Sequence, residues 1–141
     1  MNDNLHGSLD AAVVLYRFFC TFPGFGEVCP LGFEGQAGKC GAVFSMEPLR
    51  NSRRRYINGG EMYTAACTIS RCVQDMDGAH RLRLTEWFSS LSAYAEVYGK
   101  ALSGDGGGLI ERVRPASVPA RLRMTADGAV WEMRFFAEIR I

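Results

Sequence analysis

Histidine is nearly missing from this 141-residue chain: there are two, His6 and His80, and neither has a second histidine at ligand spacing. That excludes the usual histidine-based zinc and proton-relay patterns, and both are read as solvated surface residues. The five cysteines, Cys20, Cys29, Cys40, Cys67 and Cys72, are odd in number and irregular in spacing. Without the short Cys-x-x-Cys knuckle of structural zinc, they are expected to be reduced thiols acting as small apolar residues. No Gly-x-Ser-x-Gly elbow surrounds a serine, and the 15 carboxylates form no close acidic cluster. The sequence therefore predicts no catalytic constellation, no metal and no cofactor.

An excess of charge of one sign is lacking too. Sixteen basic against 15 acidic side chains leave a formal net charge of +1, so there is no global electrostatic case for nucleic acid or membrane binding. Long hydrophobic runs are also missing. The longest candidate, Ala11 to Phe22, contains Arg17 and stops at Pro23-Gly24, too short and interrupted for a bilayer of about 30 Å. Met1-Asn2-Asp3-Asn4 places no basic residue ahead of that run, unlike a signal peptide. A soluble protein made in the cytoplasm, with no membrane partner, is expected.

What is present suits one domain over residues 1–141. Apolar residues make up 48% of the chain and charged ones 22%, enough to form a core and against disorder. The organising stretch is Arg53 to Val73, two extended runs joined at Asn58-Gly59-Gly60, where positive φ is tolerated. After that corner Tyr63, Ala65, Cys67 and Ile69 share one face, and Met62, Thr64, Thr68 and Ser70 the other. This period of two predicts a strand with one drier face.

Around it the chain reads in order. Ser8 is a candidate N-cap for a helix to Phe22, with Leu9, Ala12, Val13, Tyr16, Phe19 and Cys20 at helical spacing. Gly24 to Gly41 is a long connection with a short strand around Val28 to Phe33, and Ala42 to Pro48 is a strand closed by proline. A second helix carries Leu84, Trp87, Phe88, Leu91, Tyr94, Ala95, Tyr98 and Leu102, stopping before Ser103-Gly104. Gly104, Asp105, Gly106 and Gly107 lie in a loop tip that lacks the Gly-Lys-Ser/Thr of a phosphate cradle. Asp127-Gly128 marks a two-residue hairpin turn between Ala120–Thr125 and Ala129–Ile141. Counting back from it places Ala126 opposite Ala129, Met124 opposite Trp131, Leu122 opposite Met133 and Arg123 opposite Glu132. The expected fold class is α+β: a mixed, mainly antiparallel sheet with two helices on one face and a C-terminal hairpin.

One local charge feature remains. Arg50, Arg53, Arg54 and Arg55 lie close together beside Tyr56, with no acid until Glu61. Such a run either guards a strand edge against aggregation or makes an oligomer or phosphate contact. Arginine far outnumbers lysine in the chain, which is compatible with interfaces because guanidinium pairs bidentately.

The order of pieces resembles the phage tail terminator and minor capsid (neck) proteins. The matching pieces are Ser8 to Phe22, Val43 to Pro48, Arg55-Tyr56-Ile57-Asn58-Gly59, Tyr63 to Arg71, Trp87 in its helix, and Leu122 to Ile141. Two departures bear on the subgroup: a glycine-rich loop stands where many relatives have Leu-Pro, and the chain ends Ile139-Arg140-Ile141 rather than in a tyrosine-containing strand. The resemblance implies a structural virion protein, not an enzyme: a homohexameric ring that caps the tail tube protein, halts its polymerisation and joins a head-completion or connector protein, with genomic DNA in the lumen. It further implies that Arg53, Arg54, Arg55 and Tyr56 contribute to a subunit contact or the lumen, and that Gly104 to Gly107 order on assembly. Another neck component is the near alternative. From a different class, a small ligand-binding α+β domain would line a pocket with Trp87, Tyr94, Tyr98 and Trp131.

Overall fold

The computed structural model describes residues 3–25, 30–34, 41–47, 53–55, 61–73, 78–99, 109–125 and 128–140. The elements run α1 (Asp3–Cys20), β1 (Leu31–Phe33), β2 (Ala42–Glu47), β3 (Arg53–Arg55), β4 (Glu61–Val73), α2 (Gly78–Tyr98), β5 (Leu109–Pro115), β6 (Ala120–Thr125) and β7 (Gly128–Arg140).

The sheet is built on two 13-residue strands, β4 and β7, paired antiparallel from Met62↔Arg140 to Val73↔Ala129. Each has an interrupted partner on its outer side. β2 and β3 lie end to end along β4, and β5 and β6 end to end along β7, so seven strands fill five positions. β1 adds to β2 as the one parallel pair, making the sheet mixed. β5 closes on Pro115 and the segment leading to β6 contains Pro119, neither of which can donate to a ladder. It is still tied down, because the Ala116 N–H donates to the Arg134 carbonyl at 2.8 Å and the Arg134 N–H donates to Ser117 Oγ at 3.0 Å.

Both helices pack on one face, giving the expected α+β arrangement. The strand side of the core comes from odd-numbered positions of β4 and β7, with Ala65, Cys67 and Ile69 facing Ala137, Phe135 and Met133 in register. α1 contributes Leu15, Phe18 and Phe19, with Phe22 from the turn after it, and α2 contributes Leu84, Phe88, Leu91 and Ala95, both at helical spacing. Phe19 sits at the centre, 5.1 Å from the Phe135 ring and 6.1 Å from Phe44. Burying one such ring contributes about 1.5–3 kcal/mol.

Several expectations need correction. Ser8 is not an N-cap, since α1 begins at Asp3 and runs through Gly7 and Ser8; a single glycine in a helix costs about 1 kcal/mol and need not end it. The buried stripe of α1 is also rotated, with Leu15 and Phe18 inside while Val13 is 43% exposed and Cys20 is exposed. α1 ends at Cys20, where i→i+3 bonds from Thr21 and Phe22 tighten the last turn. α2 ends at Tyr98, where the Gly99 N–H makes the last helical bond to the Ala95 carbonyl and Gly99 lies against Val113 of β5; Leu102 falls outside the described residues. Tyr98, expected on the buried side, is 47% exposed.

The C-terminal hairpin is present with a different register. Gly128, expected in the turn, opens β7 and pairs with Thr125 while holding φ at 138°. From there Arg123 meets Val130, and a bulge between Arg121 and Arg123 shifts the ladder so that Arg121 meets Trp131 and Ala120 meets Glu132. The inward set of β7 survives because period two depends on the strand and not on its partner. The Asn58-Gly59-Gly60 corner, Tyr56, Leu102 and Gly104 to Gly107 lie outside the described residues.

Candidate interaction face

The even positions of β4 and β7 form the sheet face opposite the helices, and none of them belongs to the helix-backed core. Register places four rows across it. One runs Glu47–Ala66–Phe136–Arg114, the next Ser45–Thr68–Arg134, the third Val43–Ser70–Glu132–Ala120, and a fourth Thr64–Glu138–Arg112. Short side chains make the floor: Val43, Ala66, Thr68, Cys72 and Val130 are all buried. Longer charged ones rise around them, with Arg112 and Arg114 exposed and Glu132, Arg134 and Glu138 half-buried.

Arg134 is the centre of this face. Its Nη2 donates to Glu47 Oε2 at 2.5 Å across the intervening β4. The Glu47 hydrogen bond, followed by its charge, raises the Arg134 pKa further above an already high ordinary value, so the guanidinium stays charged. With Arg134 43% exposed and Glu47 28% exposed, solvent screens the pair, and its main effect is to orient the two groups. Beside it the Arg114 guanidinium lies 5.8 Å from the Phe136 ring, a cation–π contact. Within these four rows three acids (Glu47, Glu132, Glu138) and three bases (Arg112, Arg114, Arg134) share one face, so this part of it is patterned in both signs.

The residues singled out from sequence are only partly brought here. The β3 backbone pairs Arg53↔Tyr63, Arg54↔Met62 and Arg55↔Glu61, which places this basic strand at the end of β4 in line with β2. Tyr56 and the Gly104 to Gly107 tip lie outside the described residues. The sequence pattern alone does not distinguish Glu47, Arg112, Arg114 and Arg134 from other charged strand residues. Their alternation with apolar neighbours was visible, but their meeting across four strands is a matter of register.

Of the aromatics that a pocket lining would use, Trp87 and Tyr94 pack against other rings and Tyr98 lies beside Tyr94 at 4.8 Å. Tyr94 stacks on Phe18 at 5.7 Å, and its hydroxyl shares a 2.5 Å hydrogen bond with Thr21 Oγ1. Trp87 meets Phe22, Phe25 and Phe88 edge-on at 4.9–5.9 Å. Among the described residues no group of three or more His, Cys, Asp or Glu side chains could hold a metal ion. No helix among them is long and apolar enough to cross a membrane. No protein-family model matches this chain, and no curated protein matches it.

Proposed function

We propose that the chain is a non-enzymatic structural protein of a phage or phage-like tail, acting as the tail terminator. In this reading it forms a homohexameric ring on the end of the tail tube, stops tube polymerisation and joins the tube to a head-completion or connector protein, with DNA passing through the lumen. Its place is then the virion neck.

The observation that carries this reading is the two-sided sheet. One face is locked to both helices, while the other presents Glu47, Glu132 and Glu138 among Arg112, Arg114 and Arg134. A ring subunit needs a rigid body and two different surfaces that complement each other on neighbouring copies. The mixed-charge face and the basic β3 end of β4 are candidates for those surfaces. The order of pieces that resembles tail terminators supplies the rest.

The test is the solution mass by light scattering over a concentration series, with negative-stain images, alone and with tail tube protein. A hexameric ring, or a monomer that assembles on the tube end, is the expected result. A monomer indifferent to tube protein would remove the reading. A ring that binds connector but not tube would move the protein to another neck position.

A further inference from the structure

At one end of the helix–sheet layer two hydrogen-bond donors are enclosed without acceptors. They are Nε of Arg71 on β4 and Nε1 of Trp131 on β7. The two residues are register partners on the helix-facing side, so their side chains start from adjacent points. Arg71 lies over Trp87 of α2, its Cζ 4.7 Å from the ring centroid. Trp87 is itself fixed, packed between Phe25 and Phe88, with its indole N–H directed at the Gly24 carbonyl at 3.5 Å.

We propose that Arg71 and Trp131 form a binding site for a small oxyanion of the carboxylate or phosphate type. Stacking on Trp87 uses the flat face of the guanidinium, whereas its hydrogen bonds radiate in the plane, so the stacking leaves the N–H edge unspent. The Trp131 indole cannot satisfy that edge, because indole and guanidinium both donate and neither accepts. Donors alone, with a full positive charge, repel cations and gain nothing from an apolar ligand. A group with several acceptor oxygens completes both. Neither the Arg71 Nε nor the Trp131 Nε1 donor has an acceptor against it, and the Arg134–Glu47 ion pair lies on the opposite face. Since both donor atoms are enclosed, the anion enters by displacing side chains at the layer's edge. This site is independent of the ring proposal, since it uses neither the mixed-charge face nor β3.

The chain has two tryptophans, so an indole N–H spectrum of ¹⁵N-labelled protein contains two signals, and Trp131→Phe assigns them. Inorganic phosphate and acetate are titrated separately against sodium chloride of matched ionic strength. The expected result is a saturable shift of the Trp131 signal with phosphate, acetate or both, the tighter of the two distinguishing a tetrahedral from a planar ligand. Arg71→Lys, which keeps the charge and loses the planar fork, is expected to weaken that binding at least tenfold. Trp131→Phe, which keeps the ring shape, tests the same affinity through the Arg71 Nε–H signal should the lysine variant fail to fold. A Trp131 response that is linear and equal to the chloride control, or unchanged affinity in either variant, overturns the proposal. So would donors that stay unresponsive to both anions, as expected if a buried water alone satisfies them.

Discussion

Cys67 carries the clearest consequence at the scale of one side chain. It is fully buried, between Met46 and Phe135 in register, and burial, with the Glu47 charge as a smaller cause, pushes its thiol well above the ordinary value of 9.0. The folded pKa exceeds the unfolded one, so the stability tied to it is complete below the unfolded pKa. It is lost as pH rises toward the folded value, because the unfolded chain ionises first. From about pH 8.5 upward this one group should lower stability by up to about 1.4 kcal/mol per pH unit. Urea denaturation at pH 7, 8, 9 and 10 is expected to show that fall, and Cys67→Ala should flatten it whatever its own cost in packing. The same environment shields the thiol, so a thiol reagent at pH 8 is expected to modify exposed Cys20 and leave Cys67 until the chain unfolds.

The end of α2 shows how one element is limited by another. Gly99 follows the helix, and a Cβ there would stand 2.7 Å from the Ala95 carbonyl and 3.0 Å from Val113 Cγ2 on β5. Carbonyl and strand are both held by the core, so neither can move aside cheaply. Gly99→Ala is expected to destabilise the fold by about 1–3 kcal/mol, measured as a drop in urea midpoint at unchanged m-value. The sequence signalled a helix through Leu84, Phe88, Leu91 and Ala95, whose spacing speaks for itself. Gly99 directly after Tyr98 is a local mark of this stop, but the Val113 contact that makes a glycine necessary belongs to a strand more than ten residues further on. β5 is the same lesson: Leu109–Pro115 mixes charge with apolar residues around a bulge between Ile110 and Arg112, which blurs the alternation. The hairpin register was lost for a related cause, since Gly128 takes its positive φ inside the ladder and not in the turn. Inward faces of β4 and β7 were legible, because alternation is a property of one strand. Rows across strands were not, and the candidate face is made of rows.

At the scale of the molecule, the face opposite the helices is the surface through which copies would meet in the proposed ring. A face with three acids and three bases does not repel itself as a one-sign patch would, and it favours orientations that bring unlike rows together. Arg134 is the residue to perturb. It is stitched to the β5–β6 connection through its backbone and to Glu47 through its side chain, so its head group is held in place while remaining 43% exposed. Arg134→Glu sets two carboxylates against each other at the centre of the face. Because solvent reaches both groups, the effect on folding should be small beside the effect on assembly. Light scattering is expected to show loss of the proposed ring with an unchanged circular dichroism spectrum. Exchanging the pair in the double variant Glu47→Arg, Arg134→Glu restores the local attraction but reverses its direction. If the face works by its overall balance of charge, the double variant recovers assembly with itself. If instead a neighbouring copy reads the direction of the pair, the double variant folds normally and stays apart. Full assembly of the single variant would show that the ring contact lies elsewhere, with the basic strand Arg53–Arg55 the next surface to alter.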